Sequence, residues 1–393
     1  MLHPSDVTIL HPSMHFTGGA ERLTTTLALG LADGETNVRL VTGLCNDTWR
    51  RELRSNTSVS LRELGQIVPG TLKFWLNVKR FTRAFSKLID PETEVIVTSS
   101  FPSSIAAHIF AKEHNVRIAH YLHEAPQVLH DREGLKTLPF RLRLFYRMMS
   151  ALHAKQDIEA VQRSSIIVAN SQLTKKANSS AYGVDESRIE VVYPGVSPER
   201  VALLASVPRL IAKQVTEGIP VIFIPRGARF WRNPETCLEA FHMLRTESFI
   251  AVFTGGSNHE VDYLIQRVKT LNIEDKVVWA RELPNEELRA LYSHSSMVIS
   301  IPRRQPFGLI PLEALLHGAP PIISRTSGVS EVLADGVDAI CVNESNPQEL
   351  ADAIQTLSND EVRRKIVSSG RRTVLTQLTS TRFVKEIRDR LMS

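Results

Sequence analysis

The feature that most constrains this sequence is its rhythm: short, nearly unbroken apolar runs alternate with stretches of helical periodicity along almost the whole chain. In the first half the runs fall at 7–11, 38–42, 95–99, 118–122, 166–170 and 189–193. In the second half they fall at 221–224, 250–254, 277–279, 297–301, 321–324 and 339–342. A strand that is apolar at every position is covered on both faces, and strands alternating with helices pair in parallel. The chain is therefore expected to be α/β, built from doubly wound sheets.

The rhythm breaks between 194 and 220, where PGVSPERVALLASVPRLIAKQVTEGIP carries four prolines and two glycines. Such punctuation reads as a linker. A chain of 393 residues is long for one core, and suits two of about 180–200 residues each. The expected division is a first domain at 1–200, a second at 201–375, and a C-terminal helix at 376–393 that packs back on the first domain. Asn233-Pro234 places a capping residue before a proline at the first helical position. Asn346-Pro347-Gln348-Glu349 has the form of a capping box.

Composition narrows the class. No apolar run approaches the ~20 residues that span a bilayer, and residues 1–13 lack the basic-then-apolar pattern of a secretory leader. Cys45, Cys237 and Cys341 are far apart and fit no zinc spacing. They are expected to be reduced thiols of a cytoplasmic protein.

The net charge of +5 is unevenly spread. Residues 72–87 carry Lys73, Lys79, Arg80, Arg83 and Lys87 without an acid, interleaved with Phe74, Trp75, Phe81 and Phe85. Residues 136–155 repeat the pattern with Lys136, Arg141, Arg143, Arg147 and Lys155 among Phe140, Phe145, Tyr146, Met148 and Met149. Two readings stay open for each segment. Either the apolar residues face a core and the bases face water, or a basic amphipathic helix lies on an anionic membrane surface. The charge also suits an anionic substrate such as a nucleotide sugar or a lipid phosphate; no nucleic-acid partner is expected.

Doubly wound sheets bind ligands beyond the carboxyl ends of their strands, and four motifs lie there. Gly18-Gly19-Ala20-Glu21-Arg22 follows the first strand and opens a helix. Glycines let a backbone approach a ligand, and a helix start offers free N–H groups to a phosphate; the same pair also serves as a plain turn. Tyr121-Leu122-His123-Glu124-Ala125-Pro126 ends a strand, and His123 is either a sugar-facing imidazole or an ordinary buried histidine. Arg226-Gly227-Ala228-Arg229-Phe230-Trp231-Arg232 follows the first strand of the second domain and clusters guanidiniums whose forks match phosphate oxygens. Gln305-Pro306-Phe307-Gly308-Leu309-Ile310-Pro311-Leu312-Glu313 is expected to start a helix whose amides suit a diphosphate, with Glu313 accepting two hydroxyls of a ribose diol or simply facing the helix dipole.

In order and spacing these pieces resemble the retaining GT-B glycosyltransferases of family 4 from end to end, with Val168-Ala169-Asn170-Ser171, Val192-Tyr193-Pro194-Gly195-Val196 and Thr254-Gly255-Gly256 among the connecting phrases. The resemblance implies two Rossmann-like domains facing a central cleft, an acceptor-side first domain and a second domain that binds a nucleotide diphosphate sugar. It implies hexose transfer with retention to a glycan or lipid-linked acceptor, with no metal and no cofactor. Gly18 and Gly19 would approach the diphosphate, Arg229 would bind it, and His123 would sit near the transferred sugar. Phe307, Gly308 and Leu309 would offer amides, Glu313 would hold the ribose, and Gly255 would belong to the donor side. Arg281-Glu282-Leu283 resembles the base-contacting loop, so Arg281 and Leu283 are donor-binding candidates.

Two departures matter. The family pattern has two glutamates eight positions apart, but here the first position is Gln305. Gln bonds a hydroxyl yet supplies no negative charge to a developing oxocarbenium ion. The family's lysine after the arginine is absent, and Arg232 is the nearest cation. Rival readings are a GT-B epimerase or phosphorylase, or a catalytically weakened partner protein. A cytoplasmic location is expected, with the basic helices giving a route to the inner face of a membrane.

Overall fold

The computed structural model describes residues 5–32, 35–65, 71–123, 127–130, 140–198, 206–281 and 283–392. Residues 124–126 of the His123 motif, Lys136, Glu282 and residues 199–205 of the expected linker lie outside them. The chain divides into two compact units, one of Met1–Tyr193 with Thr381–Ser393, the other of Pro194–Ser380. The boundary precedes the expected position at 200 because the start of the second unit is stitched to its own end. Val196 donates its N–H to the Leu378 carbonyl at 2.9 Å, and Ser380 donates back to Val196 at 2.9 Å.

Among the described residues the first unit holds a seven-stranded parallel sheet of β1 Asp6–His11, β2 Asn37–Thr42, β3 Val59–Glu63, β4 Val95–Thr98, β5 Arg117–Leu122, β6 Ile166–Ala169 and β7 Ile189–Val191. The order is β3-β2-β1-β4-β5-β6-β7, so the winding reverses between β1 and β4. The second unit holds a six-stranded parallel sheet of β8 Val221–Ile224, β9 Ile250–Thr254, β10 Val277–Ala280, β11 Met297–Ser300, β12 Pro321–Ser324 and β13 Ile340–Val342. Its order is β10-β9-β8-β11-β12-β13, with the reversal between β8 and β11. Such reversals leave crevices at the carboxyl ends of the central strands.

The helices of the first unit are α1 Gly19–Leu31, α2 Asp47–Leu53, α3 Leu72–Leu76, α4 Val78–Ser86, α5 Ser103–Phe110, α6 Gln127–His130, α7 Phe140–Gln162 and α8 Gln172–Tyr182. Those of the second are α9 Ala212–Thr216, α10 Pro234–Met243, α11 Asn258–Thr270, α12 Asn285–His294, α13 Ile310–Leu316, α14 Pro347–Ser358 and α15 Asp360–Gln377, after which α16 Ser380–Met392 follows. α16 docks on the first unit. Arg117 donates to the Leu391 carbonyl at 2.6 Å, Arg388 to Gly30 at 2.8 Å, and the Phe383 ring meets Tyr121 edge-on at 5.6 Å.

The two basic segments behave differently. In α3 and α4, Phe74, Trp75, Phe81 and Phe85 are buried, with Trp75 stacked on Phe101 at 5.7 Å, so these aromatics form a core and the bases face water. In α7 only Met149 of the interleaved set is fully buried, while Phe140, Leu142, Leu144, Met148 and Leu152 are exposed beside Arg141 and Arg147. Leu72 and Leu76 of α3 are exposed as well. No helix among the described residues is long and apolar enough to cross a membrane. All three cysteines are buried and free, and burial pushes the Cys237 thiol up to about 12.

Candidate active site

The second unit gathers most of the expected residues at its winding reversal. After β8 the backbone turns sharply: Arg226 is left-handed at φ 56°, its N–H donating to Thr254 Oγ1 at 2.8 Å. Gly255, beyond β9, lies alongside at φ 75°, where a Cβ would stand 3.2 Å from Arg226 Cα, so only glycine fits comfortably. A short helical turn at Phe230–Arg232 follows, with Arg229 as its cap. Glu260 on α11 organises this turn. Its carboxylate accepts from Phe230 N–H at 3.1 Å and lies 3.6 Å from the Arg229 guanidinium. Burial pushes the Glu260 carboxyl up, but bonds from Ser257 and Phe230 and the Arg229 charge outweigh it and hold it below the usual carboxylate range.

Arg232 points the other way. Its Nη1 donates to Gln305 Oε1 at 2.8 Å and its guanidinium lies 4.2 Å from the Trp231 ring centre. Its Nε is buried with no hydrogen-bond partner among the described residues, and no carboxylate there comes within ion-pair distance. Burial, then the neighbouring charge of Arg226, lowers its pKa to about 10. This is a half-buried cation with no counter-ion among the described residues, a costly arrangement unless an anion completes it.

Gln305 belongs to the loop after β11, which Gly328 and Val329 pin by donating to the carbonyls of Gln305 and Phe307 at 3.0 and 3.2 Å. Gly308 sits at φ 106° against the Gln305 side chain. The expected helix begins later than its sequence suggests. α13 starts at Ile310 with Pro311 in its first turn, so Phe307, Gly308 and Leu309 belong to the preceding loop. Proline fits that first turn because its missing N–H has no intrahelical partner to lose. Glu313 is half-buried and accepts from the Tyr292 hydroxyl of α12 at 3.2 Å. Tyr292 in turn stacks on His317 at 5.6 Å.

Two capping expectations are corrected. Asn233 does not cap α10 through its side chain. It is left-handed at φ 64°, and its amide instead reaches the carbonyls of Glu344 and Ile301. Asn346 accepts from Gln348 and Glu349 N–H, but the Glu349 carboxylate turns to Asn343 and Arg325, leaving half a capping box. The Arg281 guanidinium is engaged on α11 by Asn258 and Asp262, and only its carbonyl meets the Gly255 N–H, at 2.9 Å. Leu283 packs partly into the apolar cluster around Leu291 and Tyr292.

In the first unit, Gly18 precedes α1 with extended backbone and Gly19 is its first residue. A Cβ on Gly18 would stand 2.3 Å from the Glu21 carboxylate, so a larger residue there would have to displace the end of that side chain. His123, just past β5, has a buried Nε2 without a partner among the described residues. Burial drives its pKa to about 4, so the imidazole is neutral. Sequence reasoning missed its neighbour His11 at the end of β1, whose Nδ1 meets Ser99 Oγ at 2.6 Å and Thr24 Oγ1 at 3.3 Å. Burial, then the His123 charge, lowers the His11 pKa to about 3. It also missed Tyr292, whose partner Glu313 lies on another helix, and Glu260, whose partners Arg229 and Phe230 lie in the turn after β8.

Two family models divide the chain between them. The Glycosyltransferase Family 4 model matches residues 17–200, and the Glycosyl transferases group 1 model matches residues 210–373. The chain belongs to the group 1, family 4 glycosyltransferases. Among curated proteins this glycosyltransferase is similar to N-acetyl-alpha-D-glucosaminyl L-malate synthase of Bacillus anthracis, at 27% identity over 44% of the chain and 45% of that protein. It is similar to D-inositol 3-phosphate glycosyltransferase of Salinispora tropica, at 25% identity over 59% of the chain and 51% of that protein. The match thus spans about half the length of these relatives. Among solved structures, HepE of Anabaena in complex with UDP and glucose is similar at 18% identity and a TM-score of 0.76, covering 99% of each chain. Sucrose-phosphate synthase of Thermosynechococcus elongatus is similar at 15% identity and a TM-score of 0.77, covering 99% of this chain and 98% of that one. These likenesses establish the GT-B fold of two Rossmann-like domains.

Proposed function

We propose that this glycosyltransferase moves a hexose from a nucleoside diphosphate sugar to a glycan or lipid-linked acceptor with retention, without a metal ion. The observation that carries the reading is Arg232, a half-buried guanidinium with a buried Nε, bonded to a neutral amide beside the charge of Arg226. An anion completes such a site, and the UDP complexes of HepE support a diphosphate as that anion.

In this reading the bond between the anomeric carbon and the β-phosphate oxygen breaks while Arg229 and Arg232 stabilise the charge gathering on the leaving diphosphate. The amides of Phe307, Gly308 and Leu309 add donors, and Glu313 holds the ribose hydroxyls. Gly18 and Gly19 leave room for the diphosphate on the first unit, and neutral His123 bonds a hydroxyl of the transferred sugar. Gln305 bonds a sugar hydroxyl without contributing charge. The bases and exposed apolar side chains of α7 suit an anionic membrane surface carrying the acceptor.

A thermal-shift screen of UDP-, GDP- and ADP-sugars tests the donor, because a ligand of the folded state raises its melting point. The expected result is one base that stabilises wild type but not Arg232→Ala, with transfer unchanged by a chelator. No stabilisation by any of the three, or wild-type turnover by Arg229→Ala or Glu313→Ala, overturns the reading. A dead partner protein would bind donor without even slow hydrolysis.

A further inference from the structure

The second unit has another cationic site, at the opposite ends of its strands. A pocket of about 880 Å³ opens beyond the amino ends of β11 and β12, between Ser295-Ser296, Gly318-Pro320 and one face of α15. Helical spacing brings Arg364, Ser368, Arg371, Arg372 and Leu375 onto that face. Arg363 and His294 also line it, and no acid among the described residues does.

Arg363 is committed to Asp360 and the Leu357 carbonyl. Arg364, Arg371 and Arg372 make no ion pair or side-chain hydrogen bond among the described residues, whereas elsewhere on the surface of this unit Arg267 and Arg325 each bridge two carboxylates. Three exposed arginines without a partner among the described residues line one concavity and form a positive field with forked donors for phosphate oxygens. Val367, Leu375 and Pro320 add an apolar wall.

We propose that this pocket binds a soluble small molecule carrying two or more phosphate charges, at a site separate from the donor site. The concave shape and the apolar wall favour a compact ligand with a ring over a flat membrane. The pocket also touches the donor machinery through the chain: its Ser293 and His294 directly follow Tyr292, the partner of Glu313, and Ser293 Oγ meets His317 Nδ1 at 3.2 Å.

Calorimetric titration with inorganic pyrophosphate tests the proposal. The host is Arg229→Ala/Arg232→Ala, so that the donor site does not mask the result. This host is expected to bind pyrophosphate, and adding Arg364→Ala/Arg371→Ala/Arg372→Ala weakens binding at least about tenfold. Removing the same charge at Arg141, Arg143 and Arg147 of α7 changes it little. Replacing Arg371 and Arg372 by lysine gives an intermediate loss, since charge remains without the fork. Equal melting points of the unliganded variants establish that folding is intact. Loss that follows charge removal at either location equally, or a host that does not bind, overturns the proposal. So does loss of binding to phosphatidylglycerol vesicles without any pyrophosphate binding. None of these outcomes depends on which donor the enzyme uses.

Discussion

The Arg232 guanidinium donates to the Gln305 side-chain oxygen at 2.8 Å, so a half-buried cation is held by a neutral partner. Burial, then the neighbouring Arg226 charge, lowers its pKa to about 10, so the site opposes the charge it holds. Replacing it with an apolar side chain of similar reach removes that cost. Arg232→Met is therefore expected to melt about 2–4 °C higher than wild type, the shift of ~1 kcal/mol in a unit of this size. Its affinity for a nucleoside diphosphate falls at least about tenfold. Scanning fluorimetry with and without ligand reads both effects, and a variant that is both less stable and equally avid contradicts this account.

Tyr292 donates a hydrogen bond of 3.2 Å to Glu313. Tyr292→Phe keeps the carboxylate and the ring contact with His317 but removes this hydrogen bond to the carboxylate. The expected effect is a rise of about 3- to 10-fold in donor KM with kcat little changed, the signature of lost binding common to ground and transition states. Steady-state kinetics at varied donor concentration separate the two constants.

Acid sensitivity is built into the first unit. His11, His120 and His123 are held neutral, with pKa values of about 3, 3 and 4, chiefly by burial. The unfolded chain titrates them near ~6.5, so above that pH their contribution to stability is complete. As pH falls toward 4 the unfolded state takes up protons that the native state refuses, and stability drops. Three such groups give a slope of at most about 4 kcal/mol per pH unit between 4 and 6.5. Urea midpoints measured across that range check the slope, and His120→Asn is expected to reduce it by about one third.

Gly30 of α1 lies against Val384 of α16, where an added Cβ would stand 2.6 Å from Val384 Cγ2. Gly30→Ala is expected to destabilise by about 1–3 kcal/mol through overpacking. Val384→Ala also destabilises, by leaving a void. The double variant recovers part of both losses, with a coupling of about 1 kcal/mol in denaturant melts. Strict additivity would contradict the packing described.

On α7, Leu144 and Met148 are exposed among bases. Wild type is expected to sediment with phosphatidylglycerol vesicles at low salt and to detach as salt screens the attraction. Leu144→Asp/Met148→Asp weakens this at least about tenfold, by removing apolar insertion and adding repelling charge. Indifference of the sedimented fraction to both salt and substitution rules out α7 as the contact.

Most strands of both sheets were legible because they are buried on two faces and read as nearly solid apolar runs. β3 was not, since only alternate residues of VSLRE are half-covered at a sheet edge. The guanidinium cluster after β8 and the loop after β11 were legible as motifs, because their chemistry is local. What they touch was not. Asn233 reads as a cap until its left-handed backbone turns the amide toward the carbonyls of Glu344 and Ile301. Tyr292 meets Glu313 only because two helices pack together, and the arginines of α15 read as ordinary surface charge until the strand ends opposite them are known.

The docking of α16 on the first unit has a consequence for birth on the ribosome. A chain made from its amino end closes early segments first, yet the first unit lacks one wall until residues 381–392 emerge. The second unit is continuous in sequence, so it can finish folding while its predecessor still waits with the Gly30 side of α1 uncovered. The order of completion is thus reversed relative to the order of synthesis, and a stalled or clipped chain would carry a finished half and an open one.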